Sequence, residues 1–195
     1  MIINEQATAP HWDRAYSRGQ TFLKVSREEL EYFELYVKVA PGMTAIDIGC
    51  GKGAWARRLA GLGLSVTGFD FSAVAVAEAS RLTRGDNPQF LQWDVTSDAT
   101  PPVLEPHSVD IVSCRLVAAF LPMREFLGRA AGWLKPNGVV HIVTPVHEHL
   151  DPAQKHRGMT EDQIAELGDG WRHVSRYKVT LDGAITAVVL QHRTT

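Results

Sequence analysis

From Thr44 to Thr144 the chain alternates short apolar runs with stretches of helical period. Ala45–Ile48, Leu64–Gly68, Gln89–Trp93, Val109–Ser113 and Val139–Thr144 read as strands, with Ala54–Gly61, Ser72–Leu82 and Arg124–Leu134 as helices between them. This is the rhythm of a parallel sheet whose strands are joined by crossover helices. The connection Ser97–Ser108 carries Pro101, Pro102 and Pro106, so an abbreviated crossover is expected there in place of a long helix. Ahead of this region, Ser26-Arg27-Glu28-Glu29 has the form of a capping box, and Leu30, Phe33, Leu35, Tyr36 and Val37 continue an apolar stripe as far as Pro41-Gly42. The first twenty-odd residues are polar and irregular but hold Trp12, Tyr16 and Phe22, which suggests an arm that folds over something. At the other end, Thr160-Glu161-Asp162-Gln163 is a second capping box, opening a short helix that ends near Gly168. Two β-rich runs, Trp171–Thr180 and Ile185–His192, are joined through the hairpin signal Asp182-Gly183.

Composition narrows the class of protein without naming a chemistry. The 195 residues are 45% hydrophobic and 22% charged, enough for one domain with its own core. The formal charge is −2, and the basic residues form no run longer than Arg57-Arg58. Neither nucleic acid nor an anionic membrane is therefore an expected partner. Met1–Pro10 lacks an apolar core for a signal peptide, and the run Leu116–Met123 has eight residues where a spanning helix needs about 20. A cytoplasmic protein, monomeric or homodimeric, is the expectation. Cys50 and Cys114 lack zinc-site spacing and are expected to stay reduced.

The candidate chemistry starts at Ile46-Asp47-Ile48-Gly49-Cys50-Gly51-Lys52-Gly53, at a strand-to-helix junction. Glycines at alternate positions let the backbone turn sharply and let a ligand lie against it, and the following helix offers unpaired N–H groups. Alone, this is equally a tight turn between strand and helix. Two further acids add weight. Asp70 ends the second strand, twenty-one residues after Gly49, where a carboxylate accepts both hydroxyls of a ribose. Asp94 follows the third strand, placed for an exocyclic amine of adenine, with Val95 beside it. All three positions fall at carboxyl ends of strands, where open α/β sheets bind ligands.

Asp47, Gly49, Gly51, Gly53, Asp70 and Asp94 together resemble the class I S-adenosylmethionine-dependent methyltransferases over roughly Thr44 to Thr144, and the compact layout is similar to the tellurite-resistance and thiol methyltransferase type. The resemblance implies one Rossmann-like α/β domain. Its doubly wound seven-stranded sheet would be mostly parallel with an antiparallel C-terminal strand, in three αβα layers. Residues 1–25 would form an arm or lid and 26–195 the core. It also implies methyl transfer from S-adenosylmethionine to a small-molecule nucleophile, with Asp47 orienting the ammonium, Gly49, Cys50 and Gly51 along the methionine moiety, Asp70 on the ribose and Phe71, Asp94 and Val95 around the adenine. Trp12 and Arg115 would join the donor site.

The acceptor side falls on Cys114-Arg115-Leu116, on Pro145-Val146-His147-Glu148-His149 and on Trp12 to Tyr16. Arg115 is expected to hold the donor's carboxylate or an acidic substrate. Tyr16 and His147 are expected at the acceptor, with His147 also the candidate proton acceptor in catalysis. His147-Glu148-His149 with Asp151 is a weak metal signal, so no metal is expected. Ser113-Cys114-Arg115-Leu116 departs from the Asn/Asp-Pro-Pro-aromatic pattern of members that methylate bases or glutamine amides. Two alternatives stay open. One is a nicotinamide oxidoreductase, for which Ala54 takes the place of the last glycine; the other is a module that binds the donor without turnover.

Overall fold

The computed structural model describes residues 8–20, 24–97 and 99–194, so Phe22 of the arm lies outside the described residues. Seven strands form one sheet: β1 (Thr44–Ile48), β2 (Ser65–Asp70), β3 (Gln89–Gln92), β4 (Val109–Arg115), β5 (Leu134–Pro145), β6 (Trp171–Lys178) and β7 (Ile185–Arg193). Their order across the sheet is β3-β2-β1-β4-β5-β7-β6. The first five run parallel, and β7 enters antiparallel between β5 and the edge strand β6. The helices are α1 (Ala9–Ser17), α2 (Arg27–Val37), α3 (Ala54–Gly61), α4 (Ala73–Arg81), α5 (Met123–Trp133) and α6 (Glu161–Glu166).

The alternation of strand side chains builds two cores. Ile46, Ile48, Val112, Cys114, Val140 and Ile142 pack against Phe126, Ala130 and Trp133 of α5 and Ile164 of α6. Ala45, Ile111, Val139 and Val143, one pleat out of phase, meet Phe33 of α2, Trp55 and Leu59 of α3 and Ala79 of α4. The result is the expected three layers. The strand order reverses between β1 and β4, with α3 and α5 packed on opposite faces, and open α/β sheets bind ligands outside the carboxyl ends of the strands at such a reversal.

Several local expectations change. The arm's residues Ala9–Ser17 are helical, with Pro10 in the first turn, where its fixed φ and missing N–H cost nothing. Tertiary contacts of Trp12 and Tyr16, one turn apart on the same face, supply what local sequence did not. Strand β5 begins at Leu134, five residues before the expected Val139, because Leu134 pairs with Val109 and the register then shifts before Ile111. Thr160 forms a full reciprocal capping box. Ser26 caps α2 through the Glu29 N–H at 3.0 Å, but the Glu29 carboxylate is drawn away to a buried arginine. The 97–108 connection holds no helix among its described residues.

Candidate functional site

The turn that follows β1 lies at this carboxyl end of the sheet. Gly49 and Gly51 adopt φ of +67° and +52°. A Cβ on Gly49 would lie 2.9 Å from Val117, and one on Gly51 would lie 2.8 Å from the Tyr16 hydroxyl. Both backbone conformation and space therefore require glycine there. The Cys50 N–H donates to the Phe69 carbonyl at 3.0 Å, tying the turn to β2.

Asp70, at the end of β2, locks the same turn from the side. One carboxylate oxygen accepts from the Gly51 N–H at 2.8 Å, and the other from the Ser72 N–H at 2.9 Å. Burial nevertheless pushes its pKa up to about 6; the two N–H donors oppose this and nearby Asp13 adds to it. Asp47 is buried more deeply still, at 1% exposure, and its Oδ2 has no hydrogen-bond partner among the described residues. Burial pushes its pKa up to about 8, with Arg115 pulling down and Asp70 pushing up. A buried carboxylate oxygen without a partner is uncommon and marks a place where a donor group is missing.

Arg115, at the end of β4, stands beside this acid. Its guanidinium is engaged in a bidentate pair with Glu29 of α2, at 2.6 and 2.9 Å, and lies 6.0 Å from the Trp55 ring centroid. Both side chains are almost fully buried. The sequence gives Arg115 a carboxylate of the donor or of an acidic substrate to hold, whereas the structure gives it Glu29, whose only local signal is its position in a capping box.

The arm closes over the turn. Tyr16 is buried, and its phenol faces Gly51; burial, then Asp70, Cys50 and Asp47, push its pKa well above the usual tyrosine range. Trp12 packs on Tyr16 at 5.8 Å between ring centroids and meets Phe120 edge-on at 5.8 Å. Asp13 accepts from the Ser72 hydroxyl and, at 3.3 Å, from the Val74 N–H, so α1 is fastened to the first turn of α4 beside Asp70. Sequence reasoning missed Asp13, because nothing local distinguishes an acid that caps a helix sixty residues away.

The other candidates are spread around this centre. Asp94 is exposed, and one of its oxygens accepts from the N–H and hydroxyl of Thr96. Val95 is half-buried against the core and its carbonyl accepts from Arg129. Phe71 is half-buried, with its carbonyl taken by the Gln92 amide. Cys50 and Cys114 are free and buried, and β1 pairing with β4 brings Cys114 opposite Ile48. His147 lies in a single helical turn after β5 with its Nδ1 3.1 Å from the Lys155 carbonyl, and His149 is exposed. Among the described residues no group of three or more His, Cys, Asp or Glu is placed to hold a metal, and no helix is long and apolar enough to cross a membrane.

The donor set fits S-adenosylmethionine. An orphaned carboxylate oxygen suits an ammonium, and a glycine turn without side chains suits close approach of the methionine moiety. Asp70 ends β2 beside that turn with each carboxylate oxygen on one backbone N–H, and such an oxygen has capacity for one further hydrogen bond of the kind a ribose hydroxyl donates.

Comparison with known proteins agrees. Residues 46–142 match the methyltransferase domain family. A ubiquinone biosynthesis O-methyltransferase of Serratia proteamaculans is 35% identical over 146 residues, which is 73% of this chain and 59% of that protein. Its counterpart in Burkholderia orbicola is 31% identical over 106 residues, 53% of this chain and 44% of that one. The chain thus spans about half the length of these curated relatives. Among solved structures, a Haemonchus contortus phosphoethanolamine N-methyltransferase 2 in complex with S-adenosyl-L-methionine aligns with a TM-score of 0.72 at 17% identity, covering 98% of this chain and 59% of that one. An S-adenosylmethionine-dependent methyltransferase of Aquifex aeolicus aligns at 0.68 and 18%, covering 92% and 97%. These last two likenesses speak for the fold.

Proposed function

We propose, for a chain that belongs to the class I S-adenosylmethionine-dependent methyltransferases, that it methylates the hydroxyl oxygen of a small molecule by in-line displacement. The observation that carries the reading is the unpartnered Asp47 Oδ2 sealed beneath the glycine turn. The choice of oxygen leans on the O-methyltransferase relatives. When bound, the donor supplies a methyl group already activated by its sulfonium.

The chain's own residues bind and align. Asp47 receives the donor's ammonium, which resolves both its missing hydrogen bond and its uncompensated burial. Gly49, Cys50 and Gly51 run along the methionine moiety, and Gly49 and Gly51 have no side chain to obstruct it. Asp70 accepts from the ribose while keeping Gly51 in place. Phe71, Asp94 and Val95 border the adenine. Arg115, held by Glu29, tempers the negative charge around Asp47 without covering its open oxygen. Trp12 lies over the donor, Tyr16 over the methyl site, and His147 stands in the post-β5 segment on the acceptor side. Arm 1–25 is the lid of a 26–195 core, and its closure excludes water and fixes the acceptor. Such orientation supplies ~7–11 kcal/mol in favourable cases.

Titration calorimetry with S-adenosylhomocysteine tests the donor site. The expected result is a single site for that compound, weakened at least tenfold in Asp70→Ala, and no stabilisation by NAD in thermal melts. Stabilisation by NAD with no heat from S-adenosylhomocysteine would overturn the reading.

A further inference from the structure

Among its described residues the chain from Trp93 to Thr100 forms no helix or strand, yet it carries Asp94 and Val95 of the donor site proposed above. Its first turn is fixed from within. One Asp94 carboxylate oxygen accepts from the Thr96 N–H at 2.8 Å and the Thr96 hydroxyl at 2.7 Å. The Asp94 carbonyl accepts from the Ser97 N–H at 3.0 Å and the Ser97 hydroxyl at 2.7 Å. These bonds set the carboxylate relative to residues 95–97 but do not tie the turn to the rest of the protein.

That tie is made by Arg129 of α5. Its Nη1 donates to the Val95 and Ser97 carbonyls, each at 2.6 Å, and its Nη2 to the Thr100 hydroxyl at 3.2 Å. The guanidinium carbon lies 5.4 Å from the Trp93 ring centroid and 5.8 Å from that of Trp133, so the cation is seated against two indoles. Trp133 is buried in the core, and Trp93 meets it and Phe69 edge-on while donating from its Nε1 to the Ala99 carbonyl at 2.8 Å. Among the described residues Arg129 has no carboxylate partner. A half-buried guanidinium spent on the carbonyls and hydroxyl of one irregular segment holds that segment in place instead of neutralising a charge, and hydrogen bonds from a charged donor are the strong ones.

We propose that Arg129 is a positioning residue that sets the preference for adenine over other bases. By fixing the carbonyls of Val95 and Ser97 it aims the second Asp94 oxygen at the exocyclic amine of the ring. The assignment rests on the adenine reading of Asp94 above. Hypoxanthine carries a carbonyl in place of that amine and an N–H on the adjacent ring nitrogen. A carboxylate held in place meets the carbonyl, an acceptor where it needs a donor, and rejects the base. Released from Arg129, the turn yields, the carboxylate reaches the neighbouring N–H or turns to solvent, and the two bases become nearly equal.

Titration calorimetry on the full chain compares S-adenosylhomocysteine with S-inosylhomocysteine in the wild type, Arg129→Met and Arg129→Lys, after thermal melts have shown that each unfolds cooperatively. The wild type is expected to favour the adenosyl compound at least tenfold, the worth of a hydrogen bond to a charged group. Methionine keeps an apolar stem against the indoles and removes the donors, and should bring the ratio below about threefold, chiefly by weakening the adenosyl compound. Lysine keeps the charge without the planar fork and should give a ratio in between; it decides the matter where the methionine variant does not fold. Equal weakening of both compounds, which a merely structural role would produce, or an unchanged ratio in the deciding variant would overturn the assignment. A wild type that binds both compounds alike would overturn the adenine reading of Asp94, and one that binds neither would overturn the donor reading, the assignment falling with either.

Discussion

Replacing Asp47 by Asn separates what the fold wants from what the site wants. The Asp47 carboxyl is pushed up to about 8 from 3.8, chiefly by burial. An acid whose pKa is higher in the folded state than in the unfolded chain costs no stability below the unfolded value. The penalty then grows with pH and levels off above the folded value. Between 3.8 and pH 7 lie a little over three pH units, and at ~1.4 kcal/mol for each the penalty reaches ~4 kcal/mol. An Asn amide in the same place still leaves one buried polar atom unpaired, which takes back ~1–3 kcal/mol. The net expectation for Asp47→Asn without ligand at pH 7 is a gain of ~2 kcal/mol, or roughly 4–8 °C in melting temperature for a chain of this size. The gap should close towards pH 5, where only about one unit of penalty remains, and stop widening above about pH 8. Affinity for S-adenosylhomocysteine should fall at least tenfold, since Asn offers the ammonium no charge. Scanning calorimetry from pH 5 to 9 beside titration calorimetry reads both quantities. A variant that melts below the wild type by the same margin at pH 5 and pH 7 would refute the reasoning, because the carboxylate would then be ionised and stabilising.

Glu29→Ala strands the buried Arg115 guanidinium and should cost ~3–5 kcal/mol, seen as a drop of roughly 6–20 °C in melting temperature. The double variant Glu29→Met/Arg115→Met should recover most of it, and no recovery would show that the pair matters for more than mutual neutralisation. Deleting residues 1–20 removes Trp12, Asp13 and Tyr16 from the turn. Stopped-flow measurements should show faster donor release, and steady-state turnover should fall at least tenfold. An unchanged release rate would mean that the arm is not a lid.

The glycine turn and the acids near the strand ends were legible because they are written in local grammar. Glycines at alternate positions and acids near the ends of successive strands are features of short segments, whereas the neighbours a Cβ would strike, Val117 at Gly49 and Tyr16 at Gly51, come from distant parts of the chain. The β5 boundary was misplaced because the pairing of Leu134 with Val109 is a register decision between distant strands. The arm's helix escaped notice because its stabilising contacts lie on Phe120 and Ser72. His147 and His156 are alike as letters, and only packing gives the His147 Nδ1 a partner and leaves the His156 Nε2 without one among the described residues.

By itself the sequence determined the alternation of strands and helices, the glycine turn and the acids that end the strands, because each follows from the period of burial or the backbone freedom of a few consecutive residues. The tertiary structure alone decided the partners of buried charge. Glu29 reaches Arg115 across 86 residues, Asp13 reaches Ser72 across 59, and Asp47 keeps an open oxygen, since a charge removed from water is governed by whichever groups the fold brings within a few ångströms.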